Sequence, residues 1–115
     1  DKAEAEYQVG KYADAMKTIA KMKKAVAKKL GAKNSYLAIA LMKEAQINLE
    51  LGLLNDVERP MNEALAMSYA VNDTASAEHG FMLKEAAEVM LQYGNYQLAE
   101  TYLTKAITAF KSSDS

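Results

Sequence analysis

Apolar residues recur along this chain at intervals of three and four positions, which is the spacing of one face of an α-helix. One such stripe comprises Ala15, Ile19, Met22, Val26 and Leu30. Helix-breaking residues are rare, with 5 Gly and 1 Pro in 115 residues. The pattern therefore predicts an all-α fold with helices at roughly 1–9, 12–30, 35–51, 55–71, 74–93 and 96–111.

A repeat organises these helices. Gly10, Gly52 and Gly94 stand at a constant interval of 42 residues. An alanine stands seven positions before each glycine, at Ala3, Ala45 and Ala87. A bulky residue stands two positions after each glycine, at Tyr12, Leu54 and Tyr96. We expect one domain of three helix pairs at about 1–31, 32–72 and 73–115, in which a left-handed glycine ends the first helix of each pair. The first helix of the first pair is expected to be truncated.

Residues at the predicted helix boundaries support this division. Asn34-Ser35 and Asp73-Thr74 offer side-chain oxygens that can cap the helices after them. Pro60 falls in the first turn of its helix, where a missing N–H is best tolerated. Ala45 and Ala87 are small enough to permit close approach of the paired helix, and a larger side chain at either position would overpack the crossing.

The third unit resembles the tetratricopeptide repeat. The matching segment is Tyr93-Gly94-Asn95-Tyr96-Gln97-Leu98-Ala99-Glu100, followed by Leu103-Thr104-Lys105-Ala106. It is similar to the Gly-x-Tyr-x-x-Ala turn and the Lys-Ala pair of that family. The second unit departs from the motif at Leu54 and Val57. The standard family repeat has about 34 residues, whereas a 42-residue period is similar to the longer subtype of kinesin light chains.

The resemblance implies an α-solenoid of three antiparallel helix pairs, wound into a right-handed superhelix whose first helices line a concave groove. Aligned on the glycines, it implies that a partner would contact Tyr7, Ile39, Met42, Gln46, Leu49, Glu50, Phe81, Lys84, Glu88, Leu91 and Gln92. Chaperone-tail binders of the family hold a terminal carboxylate with a Lys and Asn clamp, which these residues do not reproduce. Met and aromatic side chains in the groove could instead anchor an apolar side chain of a peptide.

Composition narrows the class of protein. The net charge of −1 indicates no bulk attraction of the whole molecule for nucleic acid or an anionic membrane, so we do not expect nucleic acid as a partner. The absence of cysteine excludes disulfides and thiolate chemistry. No apolar run approaches the roughly 20 residues of a membrane span. Because the chain opens without an initiator Met, we interpret it as an excised fragment or processed product of a larger, cytoplasmic protein.

Candidate catalytic and metal-binding residues are few. His79 is the single histidine, has no partner ligand at helical spacing, and is interpreted as a capping or surface residue. Glu85 and Glu88 lie one helical turn apart, which is typical of solvated glutamates. No nucleophile motif and no phosphate-binding glycine loop is present. We therefore expect a protein that is not an enzyme and that holds no cofactor and no metal.

The strongest charge feature is a stripe of lysines on the second predicted helix, formed by Lys17, Lys21, Lys24 and Lys28. These positions share one helix face opposite the apolar stripe. A solvated outer face is the favoured interpretation, and a basic patch for an acidic partner or an anionic surface is the alternative.

The sequence thus favours a scaffold that binds another protein or a peptide in its groove. The alternative is a sensory or regulatory domain of a larger signalling protein, in which binding changes the superhelical curvature. A fragment of an enzyme whose catalytic domain lies elsewhere is a third interpretation. Contact between two copies through exposed repeat ends, which would give a homodimer, is a further expectation.

Overall fold

The computed structural model describes residues 2–30, 35–73 and 75–113, with side chains from Gly10 onward except residues 26, 27, 29 and 30. Within these ranges every regular element is helical, which confirms the predicted all-α class. The α-helices are α1 (Lys2–Leu30), α2 (Ser35–Glu50), α3 (Glu58–Val71), α4 (Ala77–Tyr93) and α5 (Tyr96–Ser113). A 3₁₀ helix at Leu54–Asp56 lies between α2 and α3.

Two of the three repeat glycines behave as predicted. Gly52 and Gly94 have φ values of 76° and 104°, the left-handed conformation that a side chain with Cβ disfavours. The N–H groups of Gly94 and Asn95 both donate to the carbonyl of Met90, which closes the last turn of α4. Helical hairpins α2–α3 and α4–α5 follow from these turns, and Pro60 lies in the first turn of α3 as expected.

The prediction for Gly10 is wrong, and the arrangement of three helix pairs is wrong with it. Gly10 lies inside α1, which continues over the 29 residues of Lys2–Leu30 without a break. The residue after the glycine is one difference between Gly94 and Gly10. Asn95 follows Gly94, and its Oδ1 accepts a hydrogen bond from the N–H of Leu98 at the start of α5. Lys11 follows Gly10 and has no oxygen with which to cap a new helix.

The start of α4 also differs from the prediction. Ser76 is its N-cap, with Oγ accepting a hydrogen bond from the N–H of His79. Asp73 stabilises the preceding turn by accepting a hydrogen bond from the N–H of Ala75, and the predicted partner Thr74 lies outside the described residues. Asn34 lies outside them as well. Ser35 donates a hydrogen bond from Oγ to Asn72 Oδ1 at 3.3 Å, which links the start of α2 to the end of α3.

The core lies between the two hairpins. Ala45 and Ala87 are fully buried there, as the repeat predicts, among larger side chains such as Val57, Met61 and Met90. A further close approach occurs at Gly80 in α4, where an added Cβ would come within 3.1 Å of the ring of Phe110. Small residues therefore set the distance between paired helices.

Helix α1 packs mainly on α2 and is attached by few buried groups. Ile19 is its buried apolar side chain among those described. Lys23 Nζ donates to Glu44 Oε1 at 2.8 Å, and Arg59 from α3 donates to Glu44 Oε2 at 3.0 Å. Glu44 is largely buried, so this charge network joins α1, α2 and α3 at one point.

Candidate functional site

The seam between α2 and α4 opens at one end into an apolar cavity. Ile39 on α2 and Phe81 on α4 are 40% and 47% exposed, although both are large apolar side chains. Between them lies a cavity of about 320 Å³ lined by Ser35, Ala38, Ile39, Asn72, Ala77, Glu78, Phe81 and Met82. An exposed apolar pair at a concave position is a feature of partner-binding surfaces.

The middle of the seam is closed by a polar contact. Gln46 Nε2 of α2 donates to Glu85 Oε2 of α4 at 2.7 Å. Met42 is only 2% exposed and belongs to the core, so its contribution to the surface is confined to one edge of a small cavity of about 60 Å³. Met42 is therefore a packing residue rather than the exposed anchor that the alignment implies.

The other end of the seam is polar and acidic. A cavity of about 170 Å³ is lined by Gln46, Leu49, Glu50, Glu88, Val89 and Gln92. Two carboxylates, Glu50 and Glu88, lie at this end, and Lys84 Nζ lies 3.9 Å from Glu88 Oε1. Such a long contact on two exposed side chains leaves Glu88 largely available to a ligand.

The remaining predicted groove residues are placed differently. Lys84 and Leu91 are exposed on α4 but line none of the three seam cavities. Lys84 Nζ instead lies 5.8 Å from the centre of the Phe81 ring, a cation–π contact at the rim of the apolar cavity. Tyr7 belongs to α1, and its side chain lies outside the described residues.

Sequence reasoning missed Lys43, Glu78 and Glu85, which the structure places along the seam. The 42-residue period identifies equivalent positions, such as Gln46 and Glu88. It does not identify contacting positions, because α4 is offset along α2 so that Gln46 meets Glu85, one helical turn earlier. The sequence carries no signal for this offset, since the contact depends on how far α4 is shifted along α2.

The lysine stripe lies on the outside of α1. Lys17, Lys21, Lys24 and Lys28 are all exposed, and none of them forms an ion pair with another described residue. Their neighbour Lys23 is the lysine that turns inward to Glu44. The exposure of the four lysines is compatible with both interpretations from the sequence, a solvated outer face and a basic patch.

His79 is not a surface residue, contrary to its interpretation from the sequence. Its side chain is 4% exposed, and its Nδ1 lies 2.8 Å from Ser68 Oγ, within hydrogen-bond distance. Burial lowers the pKa of His79 below the ordinary value of 6.5, and the charge of Lys105 lowers it further. The sequence contained no signal for this because Ser68 and His79 meet only through packing of α3 on α4.

The part of the chain that the structure describes has neither a metal-binding cluster nor a membrane-spanning helix. No cluster of three or more histidine, aspartate or glutamate side chains is arranged to hold a metal ion. None of the described helices combines the length and apolarity needed to cross a membrane.

No protein-family model matches this chain, and searches of the curated proteins and of the solved structures returned no match.

Proposed function

We propose that this chain is a tetratricopeptide-like scaffold that binds a peptide segment of another protein along the seam of α2 and α4. The observation that carries the proposal is the apolar cavity between the exposed Ile39 and Phe81. The two hairpins with left-handed glycines at Gly52 and Gly94 are consistent with a solenoid of stacked helix pairs.

The charges along the seam favour a particular kind of peptide. Glu50, Glu78, Glu85 and Glu88 outnumber the lysines Lys43 and Lys84. The seam therefore has an apolar cavity at the end near Ile39 and Phe81 and an acidic cavity at the end near Glu50 and Glu88. A partner with an apolar anchor and a basic residue would match both ends.

Helix geometry sets the spacing of these two features. Ile39 and Glu50 are eleven positions apart on α2, which corresponds to about 16 Å at a rise of 1.5 Å per residue. An extended peptide advances about 3.3 Å per residue. The apolar anchor and the basic residue should therefore be about five residues apart.

Selection of binding peptides from a random nonapeptide display library tests this proposal. Enriched sequences should carry an aromatic or branched aliphatic residue about five positions from Lys or Arg. Phe81→Ser should weaken their binding at least tenfold in fluorescence anisotropy, because the variant removes one wall of the apolar cavity. Glu88→Gln should weaken binding of the basic peptides by a smaller factor.

Tyr96→Ser is the matched control, since Tyr96 is also a highly exposed aromatic residue but belongs to α5, outside the seam. Circular dichroism should show that both serine variants retain their helices. Enrichment of no sequence, or equal losses from Phe81→Ser and Tyr96→Ser, would contradict the proposal.

A further inference from the structure

A second cavity lies between α3, α4 and α5 and shares no residue with the three cavities of the seam. Its volume is about 360 Å³, and its lining is formed by Tyr69, Ala75, His79, Leu83, Thr104, Lys105, Thr108, Ala109 and Ser112. It is an open cleft whose floor combines apolar side chains with the one imidazole of the protein.

The imidazole is held in a fixed orientation. Nδ1 of His79 lies 2.8 Å from Ser68 Oγ, and that oxygen accepts a hydrogen bond from Asn72 Nδ2 at 3.1 Å. The ring of Tyr69 packs against the imidazole edge to face, with 5.4 Å between the ring centres. Two contacts from α3 therefore set the position of the ring, and Asn72 supports one of them through Ser68.

The second nitrogen of this ring reaches the cavity. Among the described residues no buried side-chain nitrogen or oxygen lacks a hydrogen-bond partner. Nδ1 is the ring nitrogen paired with Ser68, and Nε2 has no partner among the described residues. Because Nδ1 faces Ser68, Nε2 is the ring nitrogen left for a ligand in the cavity that His79 lines.

Among the described residues, the rim of the cavity carries no carboxylate. Lys105 contributes an ammonium group and Thr104 a hydroxyl group, while the hydroxyl of Thr108 donates to the carbonyl of Thr104. The field of Lys105 reaches the imidazole, since it contributes to the lowered pKa of His79. Ammonium and hydroxyl donors around a nitrogen that can itself donate are suited to a negatively charged oxygen.

The floor is apolar. Leu83 and Ala109 are both nearly buried and form it, with Ala75 and the Tyr69 ring beside them. An inorganic anion would leave this apolar surface uncovered, whereas an organic body would remove it from water. We propose that this cavity binds a small organic carboxylate, with its charged end at His79 and Lys105 and its apolar body on Leu83, Ala109 and Tyr69.

Titration with benzoate, followed by NMR, tests this site directly. Because His79 is the single histidine of the chain, its imidazole proton signals are assigned without ambiguity. Benzoate should shift these signals along a saturable curve at constant pH. Acetate, which lacks the apolar body, and benzyl alcohol, which lacks the charge, should each bind at least fivefold more weakly. Inorganic phosphate should also bind at least fivefold more weakly.

Lys105→Met should weaken benzoate binding at least fivefold, since it removes the ammonium group and retains the length of the side chain. Lys84→Met is the matched control, because Lys84 is an exposed lysine of α4 that lies outside this cavity, and it should leave the benzoate affinity unchanged. A shift that does not saturate would overturn the proposal. Equal affinities for benzoate and benzyl alcohol, or equal effects of the two methionine variants, would overturn it as well.

Discussion

At the scale of single residues, the most informative side chain is His79. It is buried at the contact between α3 and α4, with Ser68 and Tyr69 on one side and the open cavity on the other. Its burial favours the neutral imidazole, because a charged ring would lose hydration without gaining a carboxylate partner. His79 therefore contributes to the packing of α3 on α4, and its lowered pKa links that packing to pH.

This burial predicts that the protein loses stability on mild acidification. The pKa of His79 is lowered in the folded state relative to 6.5, so the unfolded chain binds more protons below that pH. The stabilising effect of the neutral ring is fully present above about pH 6.5 and declines as the pH falls towards the lower folded-state pKa. The free energy of unfolding, measured in urea between pH 7.5 and 5, should therefore decrease.

His79→Gln provides the control, since its amide can still form a hydrogen bond with Ser68 Oγ but does not titrate. The decrease between pH 7.5 and 5 should be smaller in this variant than in the wild type. Parallel pH profiles for the two proteins would show that His79 is not the responsible group.

At the scale of elements, the three repeat glycines have the same spacing but different structural roles. Gly94 ends α4 and Gly52 follows the end of α2, both in a left-handed conformation. Gly10 is helical and lies in the interior of α1. The following residue distinguishes Gly94 from Gly10, because Asn95 can cap a new helix and Lys11 cannot. Leu53 after Gly52 has no capping side chain either, so capping alone does not separate all three positions.

Alanine substitution distinguishes these roles. Gly94→Ala should destabilise the fold by about 1–2 kcal/mol, the cost of a left-handed L-residue. Gly10→Ala should stabilise it by about 0.5–1 kcal/mol, since alanine is favoured over glycine inside a helix. Neither added Cβ meets another atom within 4 Å, so the difference isolates backbone conformation. Chemical denaturation measures both changes. A destabilisation of similar size at Gly10 would indicate that a helix ends there after all.

At the scale of the whole molecule, α1 is the least embedded helix. The hairpins α2–α3 and α4–α5 share one core, whereas α1 contributes Ile19 and the ion pair from Lys23. The radius of gyration of 15.0 Å exceeds the roughly 13 Å expected of a compact domain of this length.

The α5 side chains Leu103, Ile107 and Phe110 are partly exposed at the other end. The expected contact between two copies at such ends stays a prediction.

The weak attachment of α1 predicts that it opens locally before the hairpins unfold. Lys23→Met should raise amide hydrogen exchange in α1 by a factor of about 5, which corresponds to roughly 1 kcal/mol for a partly exposed ion pair. Exchange in α4 and α5 should not change, because neither helix contacts Lys23. Lys24→Met, at the exposed neighbouring position, should leave exchange in α1 as it is. A uniform increase across all helices would instead indicate that α1 unfolds together with the core.

The sequence by itself determined the features that depend on short stretches of chain. The all-α class, the bounds of four of the five α-helices to within about three residues, and the left-handed turns at Gly52 and Gly94 follow from local propensity and capping. The burial of Ala45 and Ala87 also follows from their register in the repeat.

Only the tertiary structure decided which side chains meet. The offset of α4 along α2 pairs Gln46 with Glu85 and leaves Lys84 and Leu91 outside the seam cavities. Packing of α3 against α4 brings Ser68 to His79 and creates the cavity beside Lys105. The physical reason is that a periodic sequence specifies the faces of each helix, while the translation of one helix past another is set by side-chain packing over the whole core.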